Sequence, residues 1–240
     1  MNSSVASIIV RYRSAPSRRY KSCHGRFSCP GGPPPPAVLR LNFLQHGEHA
    51  MDVTELLPAR HKLTVDDYYR MAEAGILGED DRVELIDGEI IDMAPIGQDH
   101  AATVNKLNRA LVMAFGDRAI VSVQNPVRLN RFNEPQPDFA VFRPRADFYA
   151  TGERPGPADT LLVIEVADSS LRYDRTVKLP LYARTGIAEV WIVDLRRRMV
   201  DVHRSPSGDG YATLKTHGPD DTVALSQAPE IAVALREVLA

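Results

Sequence analysis

Leu161-Leu162-Val163-Ile164-Glu165-Val166-Ala167 is the stretch on which the reading of this chain turns. Apart from Glu165 it is apolar throughout and strand-length, the pattern of a central strand buried on both faces. An ionised carboxylate in such a place is costly to desolvate unless a cation, a donor or a metal compensates it. A second acid opens a similar run, Pro137-Asp138-Phe139-Ala140-Val141-Phe142, directly after Pro135-Gln136-Pro137. Proline there ends a loop and delivers the first residue of a strand. Alternation puts Asp138, Ala140 and Phe142 on one face of their strand, and Val163, Glu165 and Ala167 on one face of theirs. Taken singly, each acid reads more simply as a strand cap or half of an ion pair. Taken together, with Lys178 close behind, they suit a divalent metal that activates water beside a phosphate.

Lys178 lies in Tyr173-Asp174-Arg175-Thr176-Val177-Lys178-Leu179, within a helix predicted near residues 171–184. At about 100° per residue, Lys178 and Asp174 fall inside the apolar arc of Leu171, Val177, Leu181 and Tyr182. An i,i+4 ion pair on an exposed face contributes only about 0.2–0.5 kcal/mol and would point outward. This pair points towards the sheet, so Lys178 is expected to reach the site while Asp174 orients it or balances its charge. His100 starts the apolar stripe of another helix. It reads first as a core or capping residue, with a rival role at the anion-favouring first turn, against a scissile phosphate. Glu84 interrupts Val83-Glu84-Leu85-Ile86 and reads equally well as a third acidic group of the site or as an exposed hairpin carboxylate.

Outward from these runs the elements alternate. Thr64-Val65-Asp66-Asp67 resembles a capping box for a helix to about Ala74, stopped by Gly75. Asp87-Gly88 between Arg82–Ile86 and Glu89–Met93 signals a two-residue hairpin. A helix follows over about 98–115, then strands near 119–123, 126–130, 138–143 and 160–167. After the helix at 171–184, Glu189–Asp194 and Met199–His203 form a hairpin across Arg196-Arg197-Arg198. Short strands near 211–216 and 222–225 and a helix near 230–239 complete the order. It implies an α/β domain with a mixed sheet and helices on its faces.

The net charge of −2 conceals an asymmetry. Residues 1–50 hold seven Arg and Lys against one acid, Glu48, and include Gly31-Gly32-Pro33-Pro34-Pro35-Pro36. Their composition predicts disorder, and they read as an upstream extension, with Met51 opening a single domain over 51–240, in preference to a basic nucleic-acid tether. The remainder holds 22 bases and 30 acids, which argues against a broad nucleic-acid surface and for a local, metal-assisted phosphate site. Cys23 and Cys29 both lie in the first fifty residues and read as idle thiols, so no disulfide framework or thiolate zinc site is expected in the domain. No run approaches the roughly 20 apolar residues of a membrane span, and Arg11 and Arg13 cut short the only apolar run near the start. A cytoplasmic location is the expectation, and a homo-oligomer is compatible with the sequence. Walker, dinucleotide, G-x-S-x-G and H-E-x-x-H patterns are all missing.

In combination, Val83–Ile90, His100, Pro137-Asp138, Ile164-Glu165-Val166, Tyr173–Leu179 and Gly186–Asp194 resemble the Uma-type family, described as restriction endonucleases, of the PD-(D/E)XK nuclease superfamily. The resemblance covers about residues 60–235. It implies a restriction-endonuclease-like fold, a mixed central β-sheet flanked by helices, and Mg²⁺-dependent phosphodiester hydrolysis, with Mn²⁺ as a substitute and DNA ahead of RNA as the partner. Asp138 and Glu165 would then be the paired acids, holding Mg²⁺ together with the carbonyl of Val166, and Lys178 would be the catalytic lysine. In the superfamily that lysine usually stands two residues after the second acid, where this chain has Ala167. The resemblance implies that Lys178 replaces it, in agreement with the independent wheel argument. Glu84 and His100 match positions of the family pattern. Two other readings stay open: a catalytically inactive nuclease fold binding nucleic acid or protein, and a metal-dependent hydrolase of smaller phosphate esters.

Overall fold

A computed structural model describes residues 60–239. The expected disorder of residues 1–50, Cys23 and Cys29 lie outside the described residues.

Helix α1 (Val65–Glu73) starts from Thr64, whose hydroxyl accepts from the Asp67 N–H while the Asp67 carboxylate accepts from the Thr64 N–H, the reciprocal capping box expected from the sequence. Strands β1 (Val83–Ile86) and β2 (Glu89–Asp92) form a hairpin across Asp87 and Gly88, both at positive φ. That is the two-residue turn whose twist matches the strands. Gly88 is irreplaceable on space as well: a Cβ there would meet Lys62 at 2.6 Å.

Helix α2 (Gln98–Phe115) buries Val104, Leu107, Leu111 and Phe115 at helical spacing. The central sheet has six strands in the order β3-β4-β5-β6-β7-β8. They are β3 (Ile120–Val123), β4 (Phe139–Phe142), β5 (Thr160–Ala167), β6 (Glu189–Asp194), β7 (Met199–Ser207) and β8 (Gly210–His217). All neighbours are antiparallel except β5 and β6, which are parallel and therefore need a crossover. Residues 171–184 supply it.

That crossover helix is interrupted. α3 (Leu171–Tyr173) passes into a π-turn over Asp174–Lys178 and then α4 (Leu179–Arg184). The cause is local: Pro180 has no N–H to give the carbonyl of Thr176, and its ring crowds that carbonyl. The Leu179 N–H accordingly reaches back five residues, to the carbonyl of Asp174. Single π-turns are concentrated at functional sites.

The sheet is covered on both faces. One core joins Phe139, Leu162, Ile164 and Trp191 to α2 and to the C-terminal segment; the other joins Ala140, Val163 and Ile192 to Leu181 and Tyr182 of the crossover. Glu165 alternates into the second face, as expected.

Two expected elements differ. Residues 126–130 form no strand, although Val127 and Leu129 are buried. Pro126, Pro135 and Pro137 withhold donors from a ladder, leaving Val127 and Leu129 to donate to the carbonyls of Pro135 and Asn133. The expected helix near 230–239 is instead strand β10 (Ala232–Ala234), paired with β9 (Thr222–Ala224), and only a short α5 (Arg236–Leu239). Ile231, Val233 and Leu235 are buried alternately with exposed alanines, a period of two that the helical reading passed over. Among the described residues no helix is long and apolar enough to cross a membrane.

Candidate active site

The register Phe139↔Ile164 carries Asp138 to a position across from Glu165. β4 begins one residue later, so the Val166 N–H of β5 has no main-chain acceptor from it there. The Asp138 carboxylate takes that N–H at 2.8 Å. His100 Nε2, in the first turn of α2, stands 3.1 Å from both Asp138 oxygens, and Gln124 donates to Oδ1 at 3.2 Å. Burial pushes Asp138 up, but the His100 hydrogen bond and charge, the Val166 N–H and the Gln124 amide outweigh it and hold the acid below its ordinary range. Asp138 in turn raises His100 above the usual histidine value, against burial. Nδ1 of His100 has no protein partner.

Lys178 is buried and points into the site, as the helical wheel required. Its Nζ lies 3.2 Å from Glu165 Oε1 and 3.1 Å from Glu84 Oε2. Glu84 is therefore a buried member of the site and not an exposed hairpin carboxylate. It also accepts from the Gln136 N–H at 3.1 Å and from the Tyr173 hydroxyl at 3.3 Å. Asp174 is buried beside the lysine, held by the Ser170 hydroxyl at 2.7 Å. Burial raises Asp174, with Ser170 and Lys178 pulling back. Burial lowers Lys178, but the carboxylates of Glu165, Glu84 and Asp174 outweigh it and keep the ammonium protonated.

Glu165 carries the strain of the cluster. It accepts from the buried Tyr182 hydroxyl at 2.6 Å as well as from Lys178, yet desolvation, with Asp174 and Asp138 nearby, pushes it up to about 8. Four buried or nearly buried carboxylates thus face one lysine and His100. All six named side chains of the sequence reading come together here.

The partners that the sequence reading missed are Tyr182, Tyr173, Gln124 and Gln136. Tyr182 follows Lys178 by four residues on the same helical face, which was a usable signal, although its phenol had been counted as apolar. Gln124, at φ +50°, carried no signal in its neighbourhood.

Among the described residues no three His, Cys, Asp or Glu side chains form a ready-made metal cage. Mg²⁺ does not require one: it is held by one or two carboxylates and keeps several waters. Asp138, Glu165 and the Val166 carbonyl are hard oxygen donors of that kind, and the excess of buried negative charge is what a divalent cation offsets. The donor set fits.

These side chains form the floor of a cavity of about 360 Å³. Arg82, Ile91, Asp92, Asp168 and the segment Met93–Gly97 also line it.

The sheet order, its flanking helices and the facing acids, Asp138 before β4 and Glu165 in β5, define a mixed α/β protein of the restriction-endonuclease-like kind. A family model, Uma2, described as "Putative restriction endonuclease", matches residues 65–236, and the chain belongs to that family. The structure is similar to the crystal structure of a "putative nuclease belonging to DUF820" from Anabaena variabilis ATCC 29413. The TM-score is 0.57 at 17% sequence identity, covering 74% of this chain and 97% of the other. At that identity the likeness concerns the fold alone. No curated protein matches the chain.

Proposed function

We propose that this member of a nuclease family is a Mg²⁺-dependent endonuclease that hydrolyses phosphodiester bonds of DNA, with Mn²⁺ able to substitute. The observation that carries the reading is the position of Lys178: a buried ammonium 3.2 Å from the buried Glu165 carboxylate, delivered by a neighbouring helix where the strand itself has Ala167.

Asp138, Glu165 and the Val166 carbonyl would hold the cation. When bound, it supplies neutralisation of phosphate charge and a water of lowered pKa. Around that group the chain's own residues have separable tasks. Lys178, held protonated by its carboxylates, donates to the attacking water or to the phosphate oxygen on which charge develops. Glu84 and Asp174 fix the ammonium and balance its charge. His100 and Gln124 set the orientation of the Asp138 carboxylate, and Tyr182 does the same for Glu165; such outer partners tune an ion site as strongly as its ligands.

Incubation of the full chain with plasmid and oligonucleotide DNA under Mg²⁺ or Mn²⁺, beside Asp138→Asn and Lys178→Met, tests the reading. Cleavage by the parent protein and loss of it in both variants is expected. Full activity in a folded Glu165→Ala protein would remove the site from the reaction.

A further inference from the structure

We infer that DNA enters this site as one unstacked nucleotide, so that single strands and unpaired segments are cut in preference to the interior of a duplex. The inference rests on the nuclease reading above and adds the class of substrate.

Depth is the first reason. Glu165 and Lys178 retain 4% and 5% of their exposure, and the Asp138 side chain 13%. A scissile phosphate must come within hydrogen-bond reach of these groups. The cavity above them, about 360 Å³, belongs to the class that encloses small molecules, about 300–1,000 Å³. That class accommodates a nucleotide and not a stacked helix. Enzymes that seat a base inside such a pocket take single strands or a nucleotide out of the stack, and a base placed in this cavity beside its phosphate meets the same requirement.

The second reason is the wall. Ile91, Met93, Ala94, Pro95 and Ile96, a segment interrupted by Asp92, line the cavity together with the acids and Lys178. Ile96 is a large apolar side chain left 44% exposed at the site. A base has an apolar face for such a wall and a phosphate for the polar floor. Contacts to base faces are sequence-tolerant and favour separated strands.

Charge is the third. Duplex affinity comes mostly from Lys and Arg neutralising phosphates along the backbone. The cavity's lysine and arginine are Lys178, bound to carboxylates, and Arg82, whose guanidinium donates to the Ala94 carbonyl at 3.0 Å. Asp92 and Asp168 add negative charge to the walls. Asp168 is met by the exposed Arg196 at 3.5 Å, so among the residues lining the cavity the basic groups are few and already engaged, and they form no continuous basic track.

The test uses the full chain, Mg²⁺, and two endless substrates of one sequence: closed circular single-stranded DNA and relaxed closed circular duplex. Single-strand cleavage at least about tenfold faster is expected, the range by which losing one base contact weakens binding. Equal or faster cutting of the duplex overturns the inference and leaves the nuclease reading intact. If neither circle is cut, hydrolysis fails, and fluorescence anisotropy of the Glu165→Gln variant on labelled single-stranded and hairpin duplex oligonucleotides decides the pocket separately. Preference for the single strand supports it; equal or duplex-favouring binding overturns it. Ile96→Asp should raise the single-strand KM with little change in kcat or in Tm. An unchanged KM removes the apolar wall from substrate binding.

Discussion

Lys178 Nζ lies 3.2 Å from Oε1 of Glu165, and the two residues belong to different elements joined by the loop after β5. Both are nearly inaccessible to solvent. Their pairing keeps the ammonium charged and offsets part of the cost of burying the carboxylate.

Removing one partner of a buried ion pair leaves the other uncompensated, at about 3–5 kcal/mol. Lys178→Met is therefore expected to abolish cleavage and also to lower stability, because Glu165 and Glu84 lose their cation. Lys178→Met combined with Glu165→Gln should recover part of that stability and none of the activity. Urea unfolding and a cleavage assay on the same preparations separate the two effects; full stability in the single variant would contradict the pairing.

Glu165 gives a pH signature in the metal-free protein. Its folded pKa, about 8, is above the ordinary 4.5, so the folded state holds the proton more tightly. The stability this contributes is complete below 4.5 and is lost as pH rises through 8. Asp138 has the opposite sign, its depressed pKa contributing stability that disappears as pH falls below about 3.8. Melting temperatures between pH 5 and 8 should fall more for the parent than for Glu165→Gln, and saturating Mg²⁺ should narrow the gap. Identical slopes would show that Glu165 titrates normally.

His100 is expected to act through Asp138. His100→Ala should weaken Mg²⁺ binding by about 10–100-fold, the usual effect of losing a residue that orients a ligand. In the metal-free protein the raised His100 contributes stability that is present below pH 6.5, as long as Asp138 stays ionised, and is lost as pH rises through the raised folded value. Calorimetric titration with Mg²⁺ measures the first effect, and an unchanged affinity would reduce His100 to a packing residue.

Tyr182→Phe keeps the ring and deletes the hydroxyl that donates to Glu165 at 2.6 Å. Leaving a buried carboxylate oxygen short of a donor costs about 1–3 kcal/mol. The variant should unfold at lower urea with an unchanged m-value, and its Glu165 should titrate higher still. No change in the urea midpoint would mean that Lys178 alone satisfies the carboxylate.

Much of this architecture was legible in the chain because its causes are local. Thr64 and Asp67 cap α1, Asp87-Gly88 turns the first hairpin, and an apolar run of seven interrupted only by Glu165 marks the central strand. The C-terminal segment was misread for a local reason too: Ile231, Val233 and Leu235 support a short strand, and Ala-rich composition disguised the alternation. Residues 126–130 were misread because burial of Val127 and Leu129 depends on neighbours that the proline-rich loop brings from residues 133–135.

For the site, the sequence by itself singled out the charged groups set against apolar patterns: Glu165 interrupts a strand-length run, Asp138 opens another, and Lys178 and Asp174 fall inside the apolar arc of a helix, where desolvation is costly. Their partners were decided only by the tertiary structure. Glu84 became a site residue because β1 is drawn against residues 134–136, and His100 because α2 begins beside the start of β4. Periodicity reports which face a side chain takes; pairing between distant elements reports what that face meets, and the charge of the site follows from the second.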